Sequence, residues 1–351
     1  MNYLEPLKEL LREIGARQQG FEYEEGRILD DLNQTATTFS NLGVKLLSII
    51  GGILGTGFFM GFLGSLIWQS STSCLVLGSV LIVASLFTNR LSDSLLSHTT
   101  ILCAYISGLI LISFGIHEQG DNTLAIVLML ISAIALTVAS GFVMPFVNTV
   151  VFNGSLFALI SINNAFWAAH LYYAYTLLVF IILTHREATF LSAGVRLNKL
   201  YSPIRSAFLF ILVWILLVFS RDFFVGGIPY KWLSSLSSLA AIVLIITYIL
   251  NSLNIRKSAL RIYLYLLSVI VLLPAIFAPA ILGALLILLL SYHYGHRTGF
   301  WTGFLALIYF VSRYYYDLNL TLLQKSELMM ASGILFLLSF MALKKHLQHE
   351  N

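Results

Sequence analysis

Residues 122–162 read NTLAIVLMLISAIALTVASGFVMPFVNTVVFNGSLFALISI, without a single Lys, Arg, Asp or Glu. One α-helix of this length would be roughly 60 Å long at about 1.5 Å per residue. The hydrocarbon core of a bilayer is only about 30 Å thick, a distance that about 20 apolar residues cross. The segment GFVMP at 141–145 offers a break. This stretch therefore predicts two membrane-spanning helices that fold back on each other.

The whole chain has the composition of a membrane protein. Of its 351 residues, 58% are hydrophobic and 10% are charged, whereas a soluble domain carries about 25% charge. Residues 101–116 and 262–292 also lack Lys, Arg, Asp and Glu. A membrane β-barrel would show segments of about ten residues that alternate in polarity, but these runs are apolar on every face. We therefore predict an all-α, polytopic transmembrane helical bundle.

Apolar segments divide the chain into about 12 predicted spans. Pro274 and Pro279 disfavour one continuous helix through 259–292, which at roughly 50 Å is also too long for a single crossing. The glycines between 51 and 64 predict close helix packing in the first span. The predicted spans are 44–67, 74–88, 99–116, 123–140, 143–162, 166–184, 204–220, 233–250, 259–273, 275–292, 299–312 and 327–343.

The first 42 residues differ from the rest of the chain. They contain eight acids and four bases, a pattern that excludes a signal peptide. The apolar residues of LEPLKELLREI, 4–14, recur at helical spacing. We predict a cytoplasmic amphipathic leader, 1–42, which either packs against the bundle or forms a docking surface for another protein. A transmembrane domain, 43–345, and a short C-terminal tail, 346–351, follow it.

The distribution of Lys and Arg predicts the orientation, because short basic loops stay on the cytoplasmic side. With twelve spans and a cytoplasmic N-terminus, sixteen of the twenty Lys and Arg residues lie inside. The four on the outer side are Arg221, Lys231, Arg313 and Lys325. If 259–292 were a single span, the balance would be fifteen to five. The count therefore predicts the orientation of the N-terminal spans and leaves the side of the C-terminus open.

Two segments of the chain resemble each other. LIVASLFTNRLSDSLLSH at 81–98 and LIYFVSRYYYDLNLTLLQK at 307–325 each join an apolar run to a cation, an acid and an L-x-x-x-L-L pattern. In the twelve-span topology the two copies face opposite sides, as inverted repeats do. Duplication and chance similarity between Leu-rich hairpins are both open explanations.

A polar and aromatic cluster lies within 312–327, between two apolar stretches. Tyr rings favour the membrane–water interface. The cluster is therefore either an aromatic belt with local ion pairs or a site for a lipid headgroup or polar ligand. Its members are Arg313, Tyr314, Tyr315, Tyr316, Asp317, Lys325 and Glu327.

A second set of polar residues falls in the fifth and sixth spans. A polar group in hydrocarbon must point inward and find a partner. The set is therefore either an internal polar pocket or a group of interhelical hydrogen bonds. Its members are Asn148, Ser155, Asn163, Asn164, Trp167, His170 and Tyr173, the last three of which share a helix face at a spacing of three.

Signals for catalysis and metal binding are weak. The pairs His293/His296 and His346/His349 have a spacing that transition metals accept, but no Cys or acid completes either pair. The chain contains no phosphate-binding loop, no G-x-S-x-G and no H-E-x-x-H. No acid lies deep in a span, which disfavours a proton-coupled transporter. We predict no catalytic residue, no cofactor, no metal and no nucleic-acid partner.

The C-terminal block YYYDLNLTLLQKSELMMASGILFLL, 314–338, resembles an uncharacterised bacterial family of polytopic membrane proteins, domain of unknown function 4401. The resemblance covers residues 30–345. It implies location in the bacterial inner membrane and a protein partner, namely a smaller membrane protein with a G-D-Y-x-x-L-x-Y motif. It implies no activity and supplies no catalytic residue.

Two function hypotheses follow. The first is a non-enzymatic subunit or scaffold of an envelope membrane complex. The second is a transporter or flippase for a hydrophobic or zwitterionic solute, based on the span count, the repeat and the polar residues of spans five and six.

Overall fold

The computed structural model describes residues 70–89, 95–220, 228–252 and 278–317 continuously, with scattered positions in 51–62, 261–276 and 321–341. Every regular element in this part of the chain is helical, and no strand occurs in it. Seven of these helices are long and apolar enough to cross a membrane. The all-α fold class is confirmed for the described residues. The leader, 1–42, and the tail, 346–351, lie outside them.

Ten α-helices follow one another in the described ranges. They are α1 Ser71–Thr88, α2 Leu95–Ile116, α3 Asp121–Val138, α4 Val143–Ile162, α5 Ala168–His185, α6 Glu187–Ser192, α7 Val195–Ser220, α8 Trp232–Ser252, α9 Pro279–His293 and α10 Arg297–Asp317. The seven apolar candidates for spans are α1 to α5, α7 and α8. Helix α9 is apolar but shorter, at 15 residues.

The helix ends follow local chemistry. Gly141 adopts φ +77° between α3 and α4, a conformation that glycine accepts without steric cost. The break predicted at 141–145 is therefore confirmed. Pro279 stands at the first turn of α9, where its missing N–H would have no helical partner anyway. One continuous helix through 259–292 is excluded, because Ala278 has φ −124° and ψ 72°.

Helices α7 and α10 extend furthest beyond the predicted spans. Helix α7 begins at Val195 rather than at 204, and α10 continues to Asp317 rather than ending at 312. The prediction ended each span where charged residues begin. Arg and Lys are good helix formers, so the backbone hydrogen bonds continue past the apolar run. The prediction that 312–327 is a link between spans is corrected, because its first residues form the end of α10.

The ends of α5 and of α7 to α10 gather at two opposite sides of the bundle, which we call the Glu187 end and the Arg313 end. At the Glu187 end, α5, α8 and α9 finish and α7 and α10 begin. There the His185 ring contacts Tyr248 and Tyr294. At the opposite Arg313 end, α7 and α10 finish and α8 and α9 begin. Helices α8 and α9 therefore run in the same direction, and the chain returns between Ser252 and Ala278.

Close helix packing occurs at glycines other than those predicted. A Cβ added to Gly78 of α1 would lie 2.9 Å from the carbonyl oxygen of Gly108 in α2. A Cβ at the described glycines of the first predicted span, namely 51, 55, 57 and 61, would meet nothing within 4 Å. The tight contact predicted for 51–64 is thus absent at those four positions, since a small residue permits a close approach but does not create one.

The main core lies among α5, α7, α8, α9 and α10. Leu212, Leu216, Leu282 and Ile287 are fully buried there. A second core joins α1 to α4 around Tyr105, whose ring is also fully buried. The main core separates the Glu187 end from the Arg313 end.

Candidate functional site

A cavity of about 400 Å³ opens at the Arg313 end of the bundle. Its apolar floor includes the rings of Phe219 in α7 and Phe310 in α10, which are 2% and 1% exposed. Its polar lining includes Lys231, Arg313 and Asp317. The volume falls within the range of about 300–1,000 Å³ that is typical of ligand pockets. This cavity is the candidate functional site.

Helix α10 supplies two charges of the cavity from successive turns. The Arg313 Nε lies 2.9 Å from the Asp317 Oδ2, and both side chains are 44% exposed. Residues four apart on a helix face each other, so the pair forms within α10 alone. Lys231, just before α8, contributes the third described charge. Two cations and one carboxylate therefore line one space.

The N-terminus of α9 also reaches the cavity. Ala278, Pro279, Ala280 and Ile281 belong to the lining, and no side chain caps this terminus. A helix N-terminus carries a partial positive charge of about half an elementary unit. The α9 terminus therefore adds to the positive potential from Lys231 and Arg313.

The structure divides the predicted interfacial cluster into separate parts. Arg313, Tyr314 and Asp317 line the cavity. The Lys325 Nζ lies 5.1 Å from the centre of the Tyr315 ring, a cation–π contact. The two remaining members, Tyr316 and Glu327, are exposed.

The structure distributes the second predicted set over separate contacts. The Tyr105 hydroxyl donates to the Asn148 Oδ1 at 2.5 Å, which joins α2 to α4. Asn163, at the end of α4, exchanges hydrogen bonds with Asn122 of α3. Ser155 is buried, and Asn164 occupies a turn with φ +52°. None of these residues lines the cavity described above.

The sixth-span members of that set point in different directions. Trp167 is 66% exposed. It is the N-cap of α5 and so stands before the first helical residue, Ala168. His170 and Tyr173 are buried and bind α8. The Tyr173 hydroxyl lies 2.6 Å from the Ser238 Oγ. The shared face predicted for the three residues therefore holds for two of them.

His170 and Ser234 have the separation of a base and a nucleophile. The His170 Nδ1 lies 2.7 Å from the Ser234 Oγ, and the Nε2 lies 2.8 Å from the Pro229 carbonyl oxygen. The carbonyl requires a proton on Nε2, so Nδ1 accepts from the serine hydroxyl. Both side chains are buried, however, with Ser234 1% exposed. The pair therefore joins α5 to α8 and does not face the cavity.

A second polar cluster, at the Glu187 end, was missed by the sequence analysis. The Arg205 Nη1 donates to the Glu187 Oε1 at 3.3 Å. The His296 Nε2 lies 3.0 Å from the Glu187 Oε2. The Arg205 Nη1 lies 3.1 Å from the His296 Nδ1 and 2.9 Å from its Nε2. The Arg205 guanidinium also lies over the Tyr201 ring. Helices α6 and α7 and the turn before α10 are joined by these contacts.

The geometry around His296 favours a neutral imidazole. A guanidinium only donates, so the Arg205 Nη1 beside the ring requires an unprotonated ring nitrogen as its acceptor. Burial lowers the pKa of His296, and the neighbouring Arg205 lowers it further, while Glu187 raises it in opposition. The net direction is downward, because loss of hydration penalises the charged ring.

A smaller cavity, about 240 Å³, lies beside this cluster. His185, Tyr248, His293 and Tyr294 form its aromatic wall. The Tyr294 hydroxyl lies 2.5 Å from the His185 Nδ1, and burial, with Tyr248 as a second cause, raises the pKa of Tyr294 to about 12. His293 faces this wall while His296 faces Glu187, so the two rings of the His-x-x-His pair have different neighbours.

Comparison with known proteins identifies the family. Residues 41–346 match the family described as Domain of unknown function (DUF4401). The chain belongs to this family. The predicted resemblance is thus confirmed over nearly the whole chain. Neither a curated protein nor a solved structure matches it.

Some residues of the Arg313 cavity in this DUF4401 chain were marked in the sequence, whereas the Glu187–Arg205 pair was not. The cavity of this DUF4401 protein combines Lys231 with Arg313, and the orientation count had already placed both on one side. Pro279 had been used only as a helix breaker, although it also marks the uncapped terminus of α9. The partners Glu187 and Arg205 carried no local signal, since eighteen residues separate them in the sequence.

Among the residues that the structure describes, no three His, Cys, Asp or Glu side chains form a group that could hold a metal. The second predicted pair, His346/His349, lies outside the described residues. The apolar helices and the family together indicate an integral membrane protein.

Proposed function

We propose that this DUF4401 protein is a non-enzymatic subunit of a complex in the bacterial inner membrane. The observation that carries the proposal is the use of interior polar side chains for helix–helix hydrogen bonds. Each such bond stabilises a membrane protein by about 0.6–2 kcal/mol. This pattern is typical of a rigid scaffold. The bonded pairs are Tyr105–Asn148, His170–Ser234 and Tyr173–Ser238.

Isolation of a partner protein tests this proposal. We expect crosslinking in intact cells, followed by extraction in a mild detergent, to recover a second membrane protein in fixed stoichiometry. The family resemblance favours a small protein with a G-D-Y-x-x-L-x-Y motif, and the leader, 1–42, is the proposed docking surface. Recovery of a clean monomer from every extraction would contradict the proposal.

A separate experiment tests the proposal that the protein is not an enzyme. The His170–Ser234 pair is the one arrangement described above that resembles a nucleophile and its base. We expect a fluorophosphonate probe to leave the protein unlabelled, because both side chains are buried. Labelling that disappears in Ser234→Ala and persists in Ser237→Ala would make the protein a serine hydrolase.

The proposed topology has twelve spans, with a cytoplasmic N-terminus. Support comes from the reversal between α8 and α9: Arg261 donates to Asn251 at 2.8 Å, and Tyr265 donates to Thr247 at 3.0 Å. These contacts fit an additional crossing antiparallel to α8. The proposed inverted repeat gains support from α1 and α10, which carry the two similar segments and run in opposite directions.

A transporter or flippase for a hydrophobic or zwitterionic solute is the second candidate. It is favoured by two cavities near opposite ends of α9. The polar residues of spans five and six are not in the described lining of either cavity, so this candidate rests on the cavities themselves. Uptake or lipid scrambling by purified protein in vesicles, absent from protein-free vesicles, would establish this candidate over the scaffold.

A further inference from the structure

The cavity at the Arg313 end lies where a lipid headgroup would lie. Its floor is apolar, and its polar lining comes from the ends of the helices rather than from their middles. Trp232, next to Lys231, is 44% exposed, and Trp is enriched at the headgroup level. Leu233, the next residue of α8, is 46% exposed. An apolar outer surface therefore begins beside the cavity.

The charges of the cavity match a group that is itself zwitterionic. Lys231, Arg313 and the α9 N-terminus provide positive potential for a phosphate, and Tyr314 lies in the same lining. The Asp317 carboxylate, 44% exposed and 2.9 Å from Arg313, provides an acceptor for an ammonium. A purely anionic headgroup would leave this carboxylate facing another negative charge.

The distribution of cations gives an independent argument. In the proposed topology only four of the twenty Lys and Arg residues face outward. Two of those four, Lys231 and Arg313, line this one cavity, although 82 positions separate them in the sequence. Outward-facing cations oppose the usual positive-inside bias, so their convergence indicates a role in binding.

We propose that this cavity binds a phospholipid whose headgroup combines a phosphodiester with a primary ammonium, as in phosphatidylethanolamine. The phosphodiester lies toward Lys231, Arg313 and the start of α9, and the ammonium lies toward Asp317. The acyl chains lie along the exposed apolar surface that begins at Trp232 and Leu233. This site is independent of the partner proposed above, because it uses no residue of the leader.

Retention of lipid by the purified full-length protein tests the proposal. Native mass spectrometry would count bound phosphatidylethanolamine after the protein is exchanged into mixed micelles with equal amounts of phosphatidylglycerol. We expect Arg313→Gln to lower retention at least fivefold. We expect Asp317→Asn to abolish the preference for phosphatidylethanolamine over phosphatidylglycerol. Arg297→Gln, at the exposed opposite end of the same helix, should match the wild type.

Two further experiments test for a soluble ligand and cover variants that fail to fold. If inorganic phosphate or phosphoethanolamine displaces the lipid at equal concentration, the site recognises a soluble phosphate and the lipid assignment is overturned. A photoactivatable phosphatidylethanolamine on the unaltered protein covers the case in which the variants fail to fold. Crosslinks in 278–281 or 313–317 support the proposal, and crosslinks confined to other segments overturn it.

Discussion

His296 is a group whose protonation the fold opposes. It lies between Glu187 and Arg205, with a side chain only 16% exposed, and its pKa is below the ordinary value of 6.5 because of burial and Arg205. The unfolded chain therefore binds a proton at a higher pH than the folded protein does. Stability rises with pH wherever the unfolded state binds more protons.

We expect the melting temperature in detergent to fall as the pH is lowered from about 7.5 through 6.5, the ordinary pKa of histidine. In His296→Gln this dependence should be weaker, since the group responsible is gone. His117→Gln is the matched control, because its side chain is 72% exposed. Melting curves at several pH values give the comparison. Equal slopes in His296→Gln and the wild type would disprove the assignment.

The contacts of Tyr315 and Lys325 determine the expected effect of substituting either residue. Asp317 pairs with Arg313, so loss of Lys325 does not leave Asp317 without a cation. Lys325→Leu should cost only the cation–π contact, about 0.5–1 kcal/mol at an exposed site. Tyr315→Phe should be almost silent because the ring remains. Chemical denaturation in detergent measures both, and a loss of several kcal/mol in either variant would rule out this description.

Helices α1 and α2 depend on a close approach that one methyl group disrupts. A Cβ at Gly78 would meet both the Gly108 carbonyl oxygen and Ile112 Cγ1 at 2.9 Å. Gly154 of α4 offers the matched control, since a Cβ there would meet nothing within 4 Å. The same substitution therefore tests packing at one site and helix propensity at the other.

We expect Gly78→Ala to destabilise the protein by about 1–3 kcal/mol, the usual cost of overpacking. Gly154→Ala should be neutral or stabilising by up to about 1 kcal/mol, because Ala favours a helix over Gly. Unfolding of both variants in mixed micelles with increasing SDS would show the difference. Similar stability of the two variants would mean that α1 and α2 are less closely packed.

The overall arrangement of helices predicts which loops each side of the membrane exposes. Glu118, between α2 and α3, lies at the same end as Arg313, and Ser192, at the end of α6, lies at the opposite end. Both residues are exposed. The proposed topology places Glu118 on the periplasmic side of the inner membrane and Ser192 in the cytoplasm.

Single-cysteine labelling tests this orientation in whole cells. We expect an impermeant maleimide to label Glu118→Cys in intact spheroplasts and Ser192→Cys only after lysis. The variants should lack the native Cys74 and Cys103, which lie in α1 and α2. The reverse labelling pattern would invert the proposed topology, and with it the leaflet that reaches the Arg313 cavity.

Local features of the sequence were sufficient to predict the long apolar helices of the described ranges. In a bilayer every backbone polar group must bond within its own segment, so apolar runs such as 123–140 and 143–162 predict α3 and α4 closely. The turn at Gly141 was also predictable, because it depends on one residue. Helix ends were less predictable. Charged residues end an apolar run without ending the helix, as Arg313 to Asp317 demonstrate.

Membership of the family was predictable for a related reason, since the block at 314–338 is contiguous in the sequence. The contacts that its individual residues make were less predictable. Tyr314 and Tyr315 are neighbours on the chain, but one lines a cavity and the other contacts Lys325. Successive residues on a helix point in directions about 100° apart, so adjacency in sequence does not mean a shared site.

Only the tertiary structure decided which distant polar residues meet. Lys231 joins Arg313, and Glu187 joins Arg205 and His296, because separate helices end at the same side of the bundle. His170 reaches Ser234 and does not join Asn148, although one pattern had grouped the two. Hydrophobicity is a property of each segment and is legible in the sequence. The partner of a polar side chain depends on how those segments pack, which no single segment encodes.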